Sequence, residues 1–227
     1  WLERVGRRGA LERVHTATRP PSGGERCWRV ALHPVLAGHS TAPAVFEVAL
    51  FANRSNSRKP LIVKRVLVPP ARSRQPALVL KLDARKVRTW CPSDPHLYGL
   101  RYRLLDGQHV LDEVSSYVGL RTVSCKKDEI FLNGERVYLR LVLDQGYYPD
   151  GLWTAPCKEA LLRDIELAQG LGFNGARLHQ KVFEPWYYYY ADLLGFLVVS
   201  EYPDWPGDKT RRWFLPDGYK ALVESEW

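Results

Sequence analysis

Asp144, Arg177, His179 and Glu201 are the side chains whose types and spacing could do chemistry. Each lies at or just past the end of a short apolar run. Residues 137–143 lead into Asp144-Gln145-Gly146, residues 173–176 into Arg177-Leu178-His179-Gln180, and residues 194–199 into Ser200-Glu201. Two carboxylates, a guanidinium, an imidazole and a carboxamide offer paired donors and acceptors to a polar ligand. A guanidinium can also hold a neighbouring carboxylate ionised and oriented.

Helical patterns lie between the three runs. Residues 157–169 place Leu161, Ile165 and Ala168 on one face, and residues 183–193 form the second pattern. Strand, helix, strand, helix, strand is the signature of parallel βαβ units. In such folds the polar residues just past the strand ends point into the ligand site. The spacing therefore predicts that the four residues converge on one rim, with Arg177 and His179 on the same side by strand alternation. Pro156 predicts the start of the first helix, with Thr154 or Ala155 at its cap, and Gly170 and Gly172 predict its end. The second helix is expected after Glu184-Pro185. Its four consecutive tyrosines, 187–190, cover every face, so some must be core and some exposed.

Upstream, apolar or alternating segments recur at 11–17, 27–32, 45–51, 61–68, 77–82, 97–105 and 109–118, separated by turn residues. Strands at this spacing without helical periodicity predict a β-sandwich. Asp106-Gly107 and Asn133-Gly134 are hairpin turns, because both pairs tolerate the positive φ that tight turns require.

The chain has 227 residues, 45% of them hydrophobic and 26% charged, enough for one or two domains with a substantial core. Its net charge of +8 is spread along the chain rather than interleaved with stacking aromatics. This reads as an Arg-rich solvated surface, and no nucleic-acid partner is expected. No apolar run is long enough to span a bilayer, so no membrane partner is expected either. Cys27, Cys91, Cys125 and Cys157 form no C-x-x-C pair, and are read as free thiols in a reducing compartment such as the cytoplasm. The chain begins at Trp1 and contains no methionine. It is read as an internal piece, with the remainder of the parent chain as a partner.

Several motifs resemble glycoside hydrolase family 2, which includes β-galactosidases, β-glucuronidases and β-mannosidases. Residues 146–156, Asp164-Ile165-Glu166, Gly172-Phe173-Asn174, 177–182, Ala191-Asp192 and Leu194-Gly195 look like the opening of that family's catalytic barrel. Trp90-Cys91-Pro92-Ser93-Asp94-Pro95-His96-Leu97-Tyr98 resembles a motif of the immunoglobulin-like domain before the barrel, where Trp90 and Tyr98 take structural roles. Tyr117-Val118-Gly119-Leu120-Arg121 resembles the linker into it. The resemblance implies an immunoglobulin-like β-sandwich over 1–123, and over 124–227 an incomplete (β/α)8 barrel of about three βα units.

The resemblance also implies a retaining glycosidase acting on terminal β-glycosides, β-galactoside or β-glucuronide. The chain lacks the Asn-Glu pair expected after the fourth barrel strand, so both catalytic carboxylates are expected beyond it. Glu224 and Glu226 read as part of a solvated helix over 219–226. What remains is part of a pocket for a carbohydrate substrate. Arg177 matches the Arg that contacts the nucleophile carboxylate. His179 either binds a sugar hydroxyl or is structural, since Gln180 stands where some relatives carry the His. Asp144 and Gln145 either bind hydroxyls or form the turn before Gly146. Glu201 fits a supporting role better than catalysis. Trp153 and Trp205 either stack on sugar rings or cover the barrel mouth. Residues 200–207 replace the Asp-Glu-x-x-x-Glu-x-His that supplies a metal ligand in some β-galactosidases, so no metal or cofactor is expected. The alternative reading is a non-catalytic carbohydrate-binding or interaction protein with a remnant barrel.

Overall fold

The structure, a computed structural model, describes residues 10–37, 43–54, 59–70 and 75–202. The chain divides into two compact units between Val137 and Tyr138. The first begins with β1 (Ala10–Arg19), β2 (Cys27–Ala37), β3 (Ala44–Phe51), β4 (Ile62–Val68), β5 (Leu78–Asp83), β6 (Tyr98–Asp106) and β7 (His109–Val118). All seven expected segments are strands. They pair antiparallel in two sheets, β1-β2-β5 and β4-β3-β6-β7. Period-two alternation turns Trp28, Val30 and Leu32 of β2 and Leu78, Leu80 and Leu82 of β5 inward. Phe46, Val48 and Leu50 of β3 join Leu100, Tyr102 and Leu104 of β6 in the same buried cluster. This is an immunoglobulin-like sandwich. Trp90 and Tyr98 are buried in it, as their motif implies. The Tyr98 hydroxyl accepts from Arg88 N at 2.8 Å, and the Arg121 guanidinium lies 4.8 Å from the Trp90 ring centroid.

The outer face of the larger sheet accounts for some of the basic residues. Glu47 stands opposite Arg65 on one side and Arg103 on the other, and Arg103 stands opposite Glu113. Arg65 Nε donates to Glu47 Oε2 at 2.7 Å, and Arg103 lies 3.8 Å from Oε1. The charges alternate in sign across four strands, an arrangement that supports the register. Glu47 is only 5% exposed, the one buried charged residue among those described.

A three-stranded hairpin sheet follows: β8 (Val123–Lys126), β9 (Glu129–Leu132) and β10 (Glu135–Val137). Asn133 and Gly134 take φ of 53° and 85°, as the Asn-Gly turn requires. Asn133 also ties the hairpin back to the sandwich. Its N–H donates to Thr122 O at 2.8 Å, its Oδ1 accepts from Thr122 N at 2.9 Å, and its Nδ2 donates to Trp90 O at 2.9 Å. The division into compact units falls after the hairpin, at 137/138.

The second unit contains β11 (Leu141–Asp144), α1 (Lys158–Gly170), β12 (Gly175–Leu178), α2 (Pro185–Leu194) and β13 (Leu197–Ser200). The strands form a parallel sheet in the order β11-β12-β13. α1 buries Leu161, Ile165 and Ala168, the face its periodicity predicts. Its N-cap is Cys157, not Thr154 or Ala155. Thr154 is engaged elsewhere: its N–H donates to Gly151 O at 3.0 Å inside the preceding turn. α2 opens with Pro185 in its first turn and ends at Gly195 in the left-handed region. Tyr187 and Tyr190 are buried, while Tyr188 and Tyr189 are half-buried. At the strand entrances, Asn174 Oδ1 accepts from Arg140 N at 2.7 Å and its Nδ2 donates to Tyr138 O at 2.8 Å. Gly175 is required where it stands, because a Cβ there would meet Leu197 O at 2.4 Å. Trp205, Glu224, Glu226 and the expected helix over 219–226 lie outside the described residues. Among the described residues no helix is long and apolar enough to cross a membrane.

Replacing Glu47 with Ala leaves two arginines facing each other. Removing one member of a buried ion pair is strongly destabilising, but Arg65 and Arg103 are partly solvated, so the expected loss is about 1–2 kcal/mol. Urea denaturation of Glu47→Ala reads it, and an unchanged midpoint would show that the ladder contributes nothing.

Candidate functional site

The parallel register sets the height of each candidate. Leu143, Arg177 and Val199 are paired neighbours, and one residue further on so are Asp144, Leu178 and Ser200. The ladder continues past β12, because His179 N donates to Asp144 O at 2.8 Å. Alternation then divides the side chains between two faces. Ala176 and Leu178 pack with Val142 in the buried cluster that includes both helices. Leu143, Arg177 and Val199 lie on the other face and are exposed.

Arg177, Gln145, His179 and Glu201 come together. Arg177 Nε donates to Glu201 Oε1, and Gln180 N donates to Glu201 Oε2 at 3.2 Å. Both carboxylate oxygens are thus engaged. The Arg177 hydrogen bond, with help from the Gln180 N–H and the Arg177 charge, holds the Glu201 carboxyl below its ordinary range. A carboxylate held ionised in this way is an acceptor and a poor proton donor, which fits a supporting role. Gln145 Nε2 lies 3.1 Å from His179 Nδ1. With the amide as donor, Nδ1 accepts and Nε2 carries the proton of the neutral ring.

Gln180 has φ of 53°, an uncommon conformation for a residue with a side chain. That geometry belongs to the turn in which its N–H reaches Glu201. The sequence reading treated Gln180 only as a departure from a motif, and missed this backbone role.

Asp144 stands apart from the other four. Its register partner is Leu178 rather than Arg177, so its side chain turns toward the helical layer. Its Oδ1 accepts from Gly146 N at 2.8 Å, and the Tyr187 hydroxyl is a further partner. Burial raises the Asp144 carboxyl above its ordinary range, the nearby Asp164 charge adds to the rise, and the two hydrogen bonds and Lys181 only partly oppose it. Of the two roles open to Asp144, the geometry matches turn formation before Gly146.

The segment 146–154 arches over this end of the unit. Tyr148 and Leu152 exchange backbone hydrogen bonds of 2.8 and 2.9 Å, and Tyr148 Oη donates to Asp164 Oδ2 at 2.6 Å. Desolvation and that bond push the Tyr148 phenol far up. Trp153 is 53% exposed, with its ring centroid 6.0 Å from that of Tyr147. Among the described residues no group of three His, Cys, Asp or Glu side chains could hold a metal ion.

The described residues thus hold an immunoglobulin-like sandwich and, after it in the chain, a βαβαβ unit with polar side chains at or just past its strand ends. Residues 35–121 match the model of glycosyl hydrolases family 2. A protein of Formosa agariphila with a provisional β-glucuronidase name is 32% identical over 158 residues, covering 68% of this chain and 14% of that protein. A β-galactosidase of Photobacterium profundum is 31% identical over 122 residues, covering 53% of this chain and 12% of that enzyme. The crystal structure of Parabacteroides merdae β-glucuronidase shares the fold with a TM-score of 0.73 at 18% identity, covering 86% of this chain and 24% of that one. Residues 35–121 thus carry the family 2 match, the similarity to family 2 proteins extends over most of the chain, and the chain spans less than one sixth of the length of either curated relative.

Because the folded state binds the Asp144 proton more tightly than the unfolded chain, this group's contribution to stability is greatest at low pH. It declines as pH rises from 3.8 through the higher folded value. Asp144→Asn keeps an acceptor for Gly146 N and cannot ionise. The variant is expected to lose this pH dependence and to be no less stable at pH 7. Thermal unfolding across pH checks it, and a variant that keeps the wild-type slope would show that Asp144 is not its source.

Proposed function

We propose that the protein containing this chain is a retaining glycosidase that cleaves terminal β-glycosides, a β-glucuronide or a β-galactoside. In this reading the βαβαβ unit opens a (β/α)8 barrel, and the two catalytic carboxylates lie in other parts of the protein. The observation that carries the reading is the gathering of Arg177, Glu201, Gln145 and His179 at or just past the ends of adjacent parallel strands. Catalytic and binding groups of such barrels sit at that end. The names of the relatives supply the two substrate candidates.

Each residue has a role within that proposal. Glu201 fixes the Arg177 guanidinium through one oxygen. The remaining N–H groups of Arg177 are left to hold the nucleophile carboxylate ionised in a retaining mechanism, where the two carboxyl groups stand about 5–5.5 Å apart. Gln145 orients His179 through Nδ1, and Nε2–H donates to a sugar hydroxyl. Trp153 stacks on the apolar face of the sugar ring. Asp144 acts indirectly, by fixing the turn at Gly146 that carries Gln145 into place.

The test uses the full-length natural protein with nitrophenyl β-D-glucuronide and β-D-galactoside. One of them is expected to be hydrolysed, with the β configuration kept in the first-formed product. Arg177→Ala removes charge-assisted bonds of about 1.5–3 kcal/mol, so kcat/KM is expected to fall roughly 10- to 100-fold. Inversion of configuration, or full activity in Arg177→Ala, would contradict the proposal. Tight sugar binding without turnover would instead favour the non-catalytic reading.

A further inference from the structure

Lys181 is absorbed neither by the fold nor by the proposed chemistry. It follows Gln180 and reaches into the arch formed by residues 146–154. Its side chain is only 12% exposed. Nζ donates to Trp153 O at 2.6 Å and to Gly146 O at 3.4 Å, and lies 3.8 Å from Glu184 Oε1. It also sits 4.8 Å from the centroid of the Phe183 ring. An ammonium has three donors, and burying it is unfavourable unless they are met. Here two carbonyls accept from it and a carboxylate lies within ion-pair distance, so its charge is engaged inside the protein rather than turned to a ligand.

The carbonyls it joins stand at the two ends of the arch. Between them, Leu152 takes φ of 52°, unusual for a leucine. Such a conformation persists where the surroundings over-determine it. Gly146 is shaped around the same ammonium: its φ is 63°, and a Cβ there would meet Lys181 Nζ at 2.8 Å and Phe183 Cζ at 3.0 Å. What the arch presents outward is a pair of aromatic rings. Tyr147 and Trp153 are 63% and 53% exposed and their centroids are 6.0 Å apart. Two large apolar rings held at the surface by a buried cation suggest a surface kept for contact.

We propose that Lys181 is a positioning residue that staples the arch, so that Tyr147 and Trp153 together form a fixed shelf for the C–H face of a pyranose ring. The proposal rests on the glycosidase reading above, and it adds Tyr147 to the binding surface and gives Lys181 a role. Lys181 touches the ligand nowhere and acts through the backbone at Trp153 and Gly146.

The experiment compares the full-length natural protein with Lys181→Met, Trp153→Ala and the double variant. Amide exchange of residues 146–154 is expected to quicken about tenfold in Lys181→Met, while α1 stays unchanged. On the cleaved β-glycoside, KM is expected to rise about fivefold to tenfold with kcat within about twofold, the mark of lost uniform binding. Adding Lys181→Met to Trp153→Ala is expected to raise KM by less than Lys181→Met does alone, because part of the shelf that Lys181 holds is already gone. Unchanged exchange in the arch overturns the staple. Additive effects on KM, or a loss confined to kcat, overturn its action through the shelf. If Lys181→Met does not accumulate as folded protein, Lys181→Gln, which keeps a donor group, carries the same comparison. Failure of the unaltered protein to cleave either glycoside overturns the glycosidase reading and the shelf's sugar with it, and the exchange measurement still decides the staple.

Discussion

The register of three short parallel strands decides what the second unit can do. Because Leu143, Arg177 and Val199 are paired neighbours, and Asp144, Leu178 and Ser200 follow at the next level, the chain leaves all three strands at one edge. A shift of one residue in any strand would exchange its faces. Arg177 would then turn into the apolar cluster of the helical layer, where its charge loses water, and Leu178 would turn out. The apolar cluster holding Leu178, Ile165, Tyr187 and Phe196 fixes the register, and through it the meeting of Arg177 with Glu201. Packing on one face thus sets the polar geometry on the other.

A second layer of control lies in the polar groups beneath the arch. Asp144 holds Gly146 N, Tyr148 reaches Asp164 on α1, and Lys181 joins Gly146 O to Trp153 O. These bonds link β11, α1 and the segment entering α2 to one stretch of irregular backbone. Loops that carry function on a rigid scaffold need such supports. The raised Asp144 carboxyl and the raised phenols of Tyr148 and Tyr187 share one cause, the removal of charged and polar groups from water.

Most of the architecture was legible in the sequence, because period two and period 3.6 are local signals. The inward residues of β2, β3, β5 and β6 and the buried face of α1 follow from them directly. The Asn133-Gly134 turn was legible because its chemistry is local too; the hairpin marked by Asp106-Gly107 was also legible, although its turn is Gly107-Gln108, with Asp106 paired to His109. What sequence did not reveal depends on distant partners. Asp144 was grouped with Arg177 because both end apolar runs, yet only the register shows that they lie on opposite faces. Thr154 was a reasonable cap, but the helix starts at Lys158, three residues too far on for its side chain to cap. Arg65 and Arg103 looked like scattered surface charge, and Glu47 between them drew no notice, because cross-strand pairing is invisible until the strands are aligned. Lys181 was passed over for the same reason: its partners are Gly146, Trp153 and Glu184, of which only Glu184 is near in sequence.

The most direct test of the account is a crystal structure of the full-length protein with a slowly cleaved β-glycoside bound. The account predicts a sugar hydroxyl within hydrogen-bond distance of His179 Nε2, the ring's C–H face against Trp153, and Arg177 still paired with Glu201. A sugar bound elsewhere, or one whose contacts include none of Gln145, Arg177, His179 and Trp153, would contradict it.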